Sequence, residues 1–344
     1  MVIAIVGAGL SGLTAGRLLA KAGHEVTIFE KSAGFGGRMA TRYAGTEQVS
    51  RIDHGLPYFS AEGDDFRLFL SELTEKKLIQ RWGDHFSFFD GTKLMHKNPN
   101  SAGKSFYTAV NGMNSIGKYL SRWVDVQLGR KVGGLTFFGK NRSLKRPWVV
   151  NFTSSDTFTA DAVILALPAP QAYGILGTTI DEINTLKIVR VIDEVSYRPS
   201  WSLMAGFQNE EPPAWEGVVC RNGVLDFISN ENSKREQEQG TTLVLHASEQ
   251  FSREQPGNDP ETVKNRMLAG LAAVTGGWTS APDWTQLHFW KYSRPEKQLP
   301  DFFMEHEDEE APLAVVGDYF RGNRVEDAYN SGYRLARHWI EKFG

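Results

Sequence analysis

The residues of this chain best arranged for chemistry are glycines. Gly7-Ala8-Gly9-Leu10-Ser11-Gly12 is a G-x-G-x-x-G run placed between an apolar, β-branched stretch and a helical pattern. Gly7 permits the tight turn, Gly9 lets backbone approach a pyrophosphate, and Gly12 lets helix and strand pack closely. The helix that opens at Ser11 offers free N–H groups and a positive dipole end to phosphates. Glu30 ends the next strand, where a carboxylate can accept hydrogen bonds from both ribose hydroxyls; Lys31 follows it as a further cofactor contact. A 2′-phosphate is disfavoured beside Glu30, because two anions would meet. NAD and FAD both satisfy these features. Gly34-Phe35-Gly36-Gly37-Arg38 then adds a second glycine turn and an arginine. Arg38 can neutralise a pyrophosphate with its planar fork. A plain NAD dehydrogenase has no need of that extension, so FAD is the expected cofactor.

The second group of interest is His288-Phe289-Trp290-Lys291-Tyr292-Ser293-Arg294-Pro295. As a strand it puts His288, Trp290 and Tyr292 on one face and Lys291 on the other. These three are the catalytic candidates. Two aromatic faces can sandwich a flat nicotinamide or clasp an amine, or simply pack a core. No nucleophile constellation is present: Leu13 occupies the last glycine position of a G-x-S-x-G elbow. The 8 histidines are scattered without metal-ligand spacing. His54 and His246 read as hydrogen-bonded structural histidines rather than bases. The single cysteine, Cys220, excludes an intrachain disulfide framework, a cysteine zinc site and an iron–sulfur cluster. A net charge of −3 argues against a nucleic-acid partner.

These groups need a scaffold, and 344 residues with 41% apolar and 23% charged composition suit two globular domains. Val2-Ile3-Ala4-Ile5-Val6, a helix over 11–22 and a strand over 25–29 form a βαβ unit. Helices are expected over 65–78 and 112–123. Residues 124–128, 134–138, 148–152 and 157–160 read as short antiparallel strands. Ala162–Leu167 reads as a buried strand stopped by Pro168 and Pro170. Strand-like stretches at 201–207, 224–229, 241–247 and 285–292 accompany one helix over 260–274. Residues 250–259 read as a polar loop, and 305–310 as a solvated acidic run. A buried strand at 313–316 precedes Gly317-Asp318 and a final helix over 325–342. The apolar N-terminus lacks a basic n-region and is interrupted by glycine, and no apolar stretch reaches membrane-spanning length. A cytoplasmic protein without an integral membrane segment is the expectation.

The fingerprint Gly7–Gly12, Glu30, Gly36-Gly37-Arg38, the segment Asp53-His54-Gly55-Leu56-Pro57-Tyr58-Phe59, and Gly317-Asp318 with its following helix resemble the amine-oxidase-like FAD superfamily. Within it, Gly37–Arg42, Asp53-His54-Gly55 and Gly317-Asp318 with Arg324–Ala328 look most like the renalase-like flavoproteins. The resemblance runs the whole chain in order and is weaker across 175–285. It implies an α/β fold: a Rossmann-type FAD-binding domain with an inserted α+β substrate domain, the two-domain plan of amine oxidases and hydroxybenzoate hydroxylase. The FAD domain would comprise 1–66, 109–172 and 308–344, and the substrate domain 67–108 and 173–307. Asp318, after Gly317, matches the position that holds the ribityl chain and pyrophosphate. Arg324, Val325 and Glu326 would lie beside the flavin, and the last helix would aim its N-terminus at the pyrimidine edge, stabilising charge on the reduced ring. Val132 matches the position whose backbone meets adenine. Gly55, Leu56, Pro57 and Tyr58 would line the isoalloxazine, and Asp53 would hold its loop. Some relatives attach flavin to a cysteine near the C-terminus; none lies near Asp318, so the FAD is expected to be noncovalent. The implied activity is hydride transfer from a small-molecule substrate to flavin N5, with O2 as acceptor giving H2O2. The implied substrate is a dihydronicotinamide. The runner-up is a primary or secondary amine, and a third reading is a dinucleotide-binding sensor without turnover.

Overall fold

A computed structural model describes residues 1–45, 49–96, 104–138, 145–179, 183–235, 240–254, 257, 259–306 and 311–344. The strand Val2–Val6 is buried at every position, as its run of β-branched and small apolar residues requires. It sits inside a six-stranded sheet. The order is Met304–Glu305, Leu313–Val315, Ala162–Leu165, Val2–Val6, Glu25–Glu30, Asp125–Leu128. All neighbours are parallel except Met304–Glu305. Three separate stretches of chain therefore build one sheet, the arrangement of a dinucleotide-binding Rossmann half.

The helix Leu10–Lys21 covers one face and is crossed by the C-terminal helix Val325–Phe343. The crossing depends on glycine. A Cβ on Gly332 would stand 2.1 Å from the Ser11 carbonyl oxygen, and one on Gly12 would stand 2.3 Å from the Gly7 carbonyl oxygen.

A seven-stranded sheet forms the second layer system, in the order Trp284–Pro295, Tyr197–Phe207, Thr241–Ala247, Leu225–Asn230, Gly217–Cys220, Ser87–Phe89, Leu94–Met95. Trp284–Pro295 is its edge. The helix Pro260–Thr275, capped by the Asp259 carboxylate, buries Val263, Met267 and Leu271 in the core of this half. A three-stranded antiparallel sheet (Val132–Phe137, Trp148–Phe152, Thr157–Ala160) pairs with neither but packs on the six-stranded sheet, where Phe152 meets Phe29 at 4.8 Å.

Three sequence expectations need correction. Asp125–Leu128 is not antiparallel; it pairs in parallel with Glu25–Glu30, because it arrives by a crossover through the helices Asp64–Glu75 and Asn114–Leu120. The expected polar loop begins with a helix, Glu249–Glu254, closed by an Arg253–Glu249 pair at 3.0 Å over buried Phe251. The buried strand does end before Pro168 and Pro170, at Leu165, and Pro170 then falls in the first turn of a helix, Ala169–Leu176, where its missing N–H costs nothing. Of the acidic run, residues 307–310 lie outside the described residues. Glu305 is no solvated loop residue: it accepts from His338 Nε2 at 2.8 Å and Trp339 Nε1 at 2.9 Å, pinning the last helix. Among the described residues no helix is long and apolar enough to cross a membrane.

Candidate cofactor and substrate site

The fingerprint turn is held by its own backbone. Gly7, at φ +106°, donates to the Phe29 carbonyl at 2.8 Å, and Leu13 N donates to the Gly9 carbonyl at 3.0 Å. The Glu30 carboxylate braces the turn: it accepts from Ala8 N at 2.9 Å and from Ser32 N at 2.8 Å. Each oxygen keeps lone-pair capacity for a ribose hydroxyl. Gly36 N donates to the Ala8 carbonyl at 2.9 Å, so the second glycine turn lies against the first. Lys31 is exposed at the strand end.

Arg38 ties both ends of the chain together. Its Nη1 and Nη2 each donate to Asp318 at 2.7 Å, a fork-on-fork pair, and Nη1 also donates to the Ser293 carbonyl at 3.1 Å. Asp318 directly follows Gly317, whose N–H donates to Ser331 Oγ at 3.0 Å. The Arg38 carbonyl accepts from Leu56 N at 3.0 Å, and a Cβ on Gly55 would stand 3.1 Å from the Trp290 ring. Gly37, Arg38, Gly55, Leu56, Trp290 and Asp318 therefore surround one place between the sheets.

The wall opposite is built from histidine and tryptophan. The His288 and Trp290 rings meet edge to face at 4.4 Å, and each lies 5.2 Å from His54. Trp290 Nε1 donates to the His54 carbonyl at 3.2 Å; Ser202 Oγ donates to the same oxygen at 2.7 Å. Arg42 reaches His288 Nδ1 at 3.2 Å. Tyr292 stands apart. The pairing with Tyr197–Phe207 slips between Arg198 and Ser200, and beyond the slip Tyr292 packs against Tyr197 at 5.5 Å. That irregularity interrupts the strict alternation that would keep three side chains on one face.

The imidazoles here are neutral. Burial pushes His54 down to about 3, with Arg42 adding to it. Burial also pushes His246 down to about 3, with Lys234 and Arg294 adding their charge. His288 is lowered by burial and then by Arg42. His54 Nδ1 and His246 Nε2 are buried without a hydrogen-bond partner.

A buried charge network, not anticipated from sequence, supports this wall from behind. Asp53, Glu231 and Lys234 are fully buried and Arg235 nearly so. Lys234 Nζ lies 2.7 Å from Glu231 and 3.8 Å from Asp53; Arg235 pairs with Asp53 and, at 3.2 Å, with Glu231. Asp53 also accepts from Thr41 Oγ1 at 2.7 Å and Met113 N at 2.8 Å. Burial pushes Glu231 up, but Lys234 and Arg235 outweigh it and hold the carboxyl below its usual range. The i,i+3 and i,i+4 spacing of Glu231 with Lys234 and Arg235 was visible in sequence; their burial was not.

Other expected contacts lie nearby in varied roles. The Tyr58 ring turns into an aromatic cluster with Phe86, Phe106 and Phe227, at 4.8 to 5.3 Å, while Pro57 stays half-buried on the segment before it. Glu326 accepts from Gly63 N at 2.6 Å and Glu62 N at 2.8 Å, so its carboxylate fastens a loop. Arg324 pairs with Glu62 at 2.7 Å and precedes Val325, the first residue of the last helix. Val132 is buried at the start of its strand, opposite Phe152 and beside a register slip.

The residues present fit a flavin dinucleotide. No side chain caps the helix Leu10–Lys21 at Gly9, and a Cβ on Gly9 would meet nothing within 4 Å. Open space thus adjoins an uncapped helix N-terminus that could take a phosphate, with Glu30 available to a ribose hydroxyl and Arg38 to an anion. The Tyr319 hydroxyl, buried and unpartnered, adds a free polar atom next to Asp318.

Comparison with known proteins agrees with this geometry. Residues 48–340 match the family model described as flavin containing amine oxidoreductase, and residues 5–73 match an NAD(P)-binding Rossmann-like domain. An L-amino-acid oxidase of Siganus canaliculatus is 39% identical over 87 residues, 25% of this chain and 16% of that protein. An uncharacterised protein of Methanocaldococcus jannaschii is 30% identical over 185 residues, 48% of this chain and 42% of its own length. The matched stretches thus span less than half of either relative. Among solved structures, putrescine oxidase bound to putrescine superposes with a TM-score of 0.73 at 14% identity, covering 99% of both chains. Cyclohexylamine oxidase from Brevibacterium oxydans gives 0.73 at 12% identity, covering 99% of this chain and 98% of that one. At such identities the likeness is one of fold.

Proposed function

The chain belongs to the flavin-containing amine oxidoreductase family, and on that footing we propose that it is a renalase-like, FAD-dependent oxidase. It oxidises a dihydronicotinamide, holds its FAD without a covalent bond, and returns the electrons to O2 as H2O2. The observation that carries the substrate reading is the charge around the three imidazoles. Among the described residues, the charged side chains acting on His54, His246 and His288 are Arg42, Arg294, Lys234 and Asp53. Asp53 is already satisfied by Arg235, Thr41 and Met113. Lys234 is likewise paired, with Glu231 at 2.7 Å, which leaves Arg42 and Arg294 as the charges acting on these rings; such cations disfavour an ammonium and suit a neutral ring carried on anionic phosphates.

FAD held along Gly9, Glu30, Arg38 and Asp318 would supply the two-electron acceptor. The chain's own residues do the rest. Glu30 orients the ribose, Arg38 offsets phosphate charge, and Gly37 and Gly55 let backbone come close. Trp290 and His288 give a flat ring a wall to lie on, which fixes its orientation and excludes water. Oxidation of a dihydronicotinamide restores an aromatic ring and asks for little acid–base help. Neutral, buried His54 and His246 accord with that demand. Cys220, buried and pushed up to about 12 by burial and by Asp226, is a poor candidate for flavin attachment.

Peroxide release by the FAD-loaded enzyme in air tests the reading. Dihydronicotinamide dinucleotide isomers are expected to give peroxide, and small primary and secondary amines are not. Turnover of amines alone overturns the substrate assignment.

A further inference from the structure

Arg42 and His288 are 246 positions apart in sequence and meet at the substrate-side wall, Arg42 Nη2 to His288 Nδ1 at 3.2 Å. A guanidinium carries donors only and stays protonated. His288 Nδ1 must therefore be the acceptor and bears no proton. In the neutral ring the proton sits on Nε2. That nitrogen has no hydrogen-bond partner among the described residues and is not sealed from solvent. The ring cannot easily turn to exchange its nitrogens. Trp290 lies against it at 4.4 Å and His54 at 5.2 Å, and its backbone is registered opposite Ser202. The Ser202 hydroxyl is occupied by the His54 carbonyl, and so is the Trp290 N–H, so neither competes for the His288 ring.

We propose that Arg42 is a positioning residue that locks His288 in its Nε2–H tautomer, so that the wall presents a hydrogen-bond donor to a carbonyl oxygen of the substrate. The part of this that names the acceptor rests on the dihydronicotinamide reading, whose carboxamide oxygen is such a group. The tautomer lock itself does not. An imidazole held this way offers no lone pair to an amine N–H, so the same contact discriminates between the two substrate classes. The charged and titratable groups facing the ring are Arg42 and His54, and His54 is itself neutral. Burial and the Arg42 charge both act against an imidazolium, which keeps the donor single and neutral near pH 7.

Ring-nitrogen NMR of the FAD-loaded protein, labelled with 15N-histidine, reads the tautomer directly; His288→Gln assigns the signal. In the unmodified protein His288 is expected as the neutral Nε2–H form at neutral pH and to take up a proton only below the range of an ordinary histidine, because burial and Arg42 both oppose the imidazolium. Arg42→Met is expected to mix the two tautomers, to shift titration towards the ordinary range, and to raise KM for the dihydronicotinamide about ten-fold. Arg42→Lys, which keeps a donor and a charge, restores the Nε2–H form. An Nδ1–H tautomer in the unmodified protein overturns the proposal without any variant having to fold. So does an Arg42→Met protein whose His288 signals are unchanged. If the ring signals behave as stated but no dihydronicotinamide is turned over, the lock stands and the assigned acceptor is overturned.

Discussion

Glu30 has two duties, and its substitution should reveal both. The carboxylate braces the fingerprint turn through Ala8 and Ser32, and it is the group proposed to hold the ribose. Glu30→Ala is expected to weaken FAD binding by about ten-fold or more, since a hydrogen bond to a charged group is worth roughly 1.5–3 kcal/mol; equilibrium dialysis of released flavin measures it. Unchanged affinity means that the ribose contact is misassigned. The buried histidines make a prediction about pH. His54 and His246 have folded values lowered to about 3, below the ordinary 6.5. The unfolded chain therefore takes up protons first as pH falls. The stability they contribute is complete above about pH 6.5 and is lost progressively towards pH 3. Urea midpoints should fall between pH 7 and pH 5, and His246→Gln should flatten that dependence; a pH-independent midpoint contradicts the buried, neutral state. Asp53 belongs at this scale too. Asp53→Asn leaves Lys234 and Arg235 buried with one carboxylate between them and is expected to cost about 3–5 kcal/mol of stability, read by chemical denaturation.

The elements meet at glycines, and their packing can be tested with a single methyl group. A Cβ on Gly332 would press on the Ser11 carbonyl at 2.1 Å. Gly332→Ala should therefore push the last helix away from the fingerprint helix, cost about 1–3 kcal/mol and loosen flavin binding with it. A variant as stable as the parent would mean that the crossing yields freely. This crossing also explains what was readable in the sequence. The fingerprint could be read because every glycine in it answers a local steric demand within one strand–turn–helix unit. The final helix was legible from its own residue pattern, whereas Gly317-Asp318 alone reads as a common turn pair and stood out only through the family resemblance. The parallel pairing of Asp125–Leu128 was not, because a short apolar alternation carries no sign of strand direction. Nor was the contact between Arg42 and His288, which exists only once a hairpin near the N-terminus meets an edge strand near the C-terminus. The buried network of Asp53, Glu231, Lys234 and Arg235 was not legible either, since burial is a property of the assembled fold. The slip that sends Tyr292 towards Tyr197 lies between two strands and leaves no mark on either alone.

At the scale of the molecule, a largely parallel six-stranded sheet assembled from three stretches of chain is tied to a seven-stranded sheet, and the candidate cofactor and substrate groups gather where Arg38, Asp318, Gly55 and Trp290 meet. The only cysteine is buried in the core of the seven-stranded half, so heat or acid should release all bound flavin into the supernatant. Flavin retained by the precipitated protein contradicts noncovalent binding. The proposed oxidation of a dihydronicotinamide at this cationic, donor-bearing wall is decided by anaerobic mixing of the FAD-loaded protein with dihydronicotinamide isomers, and separately with amines, because each pairing reports electron transfer without the oxygen reaction. At least one dihydronicotinamide isomer is expected to bleach the flavin absorbance within a single turnover, and amines to leave it unchanged. Bleaching by amines with none by any dihydronicotinamide would contradict the assignment.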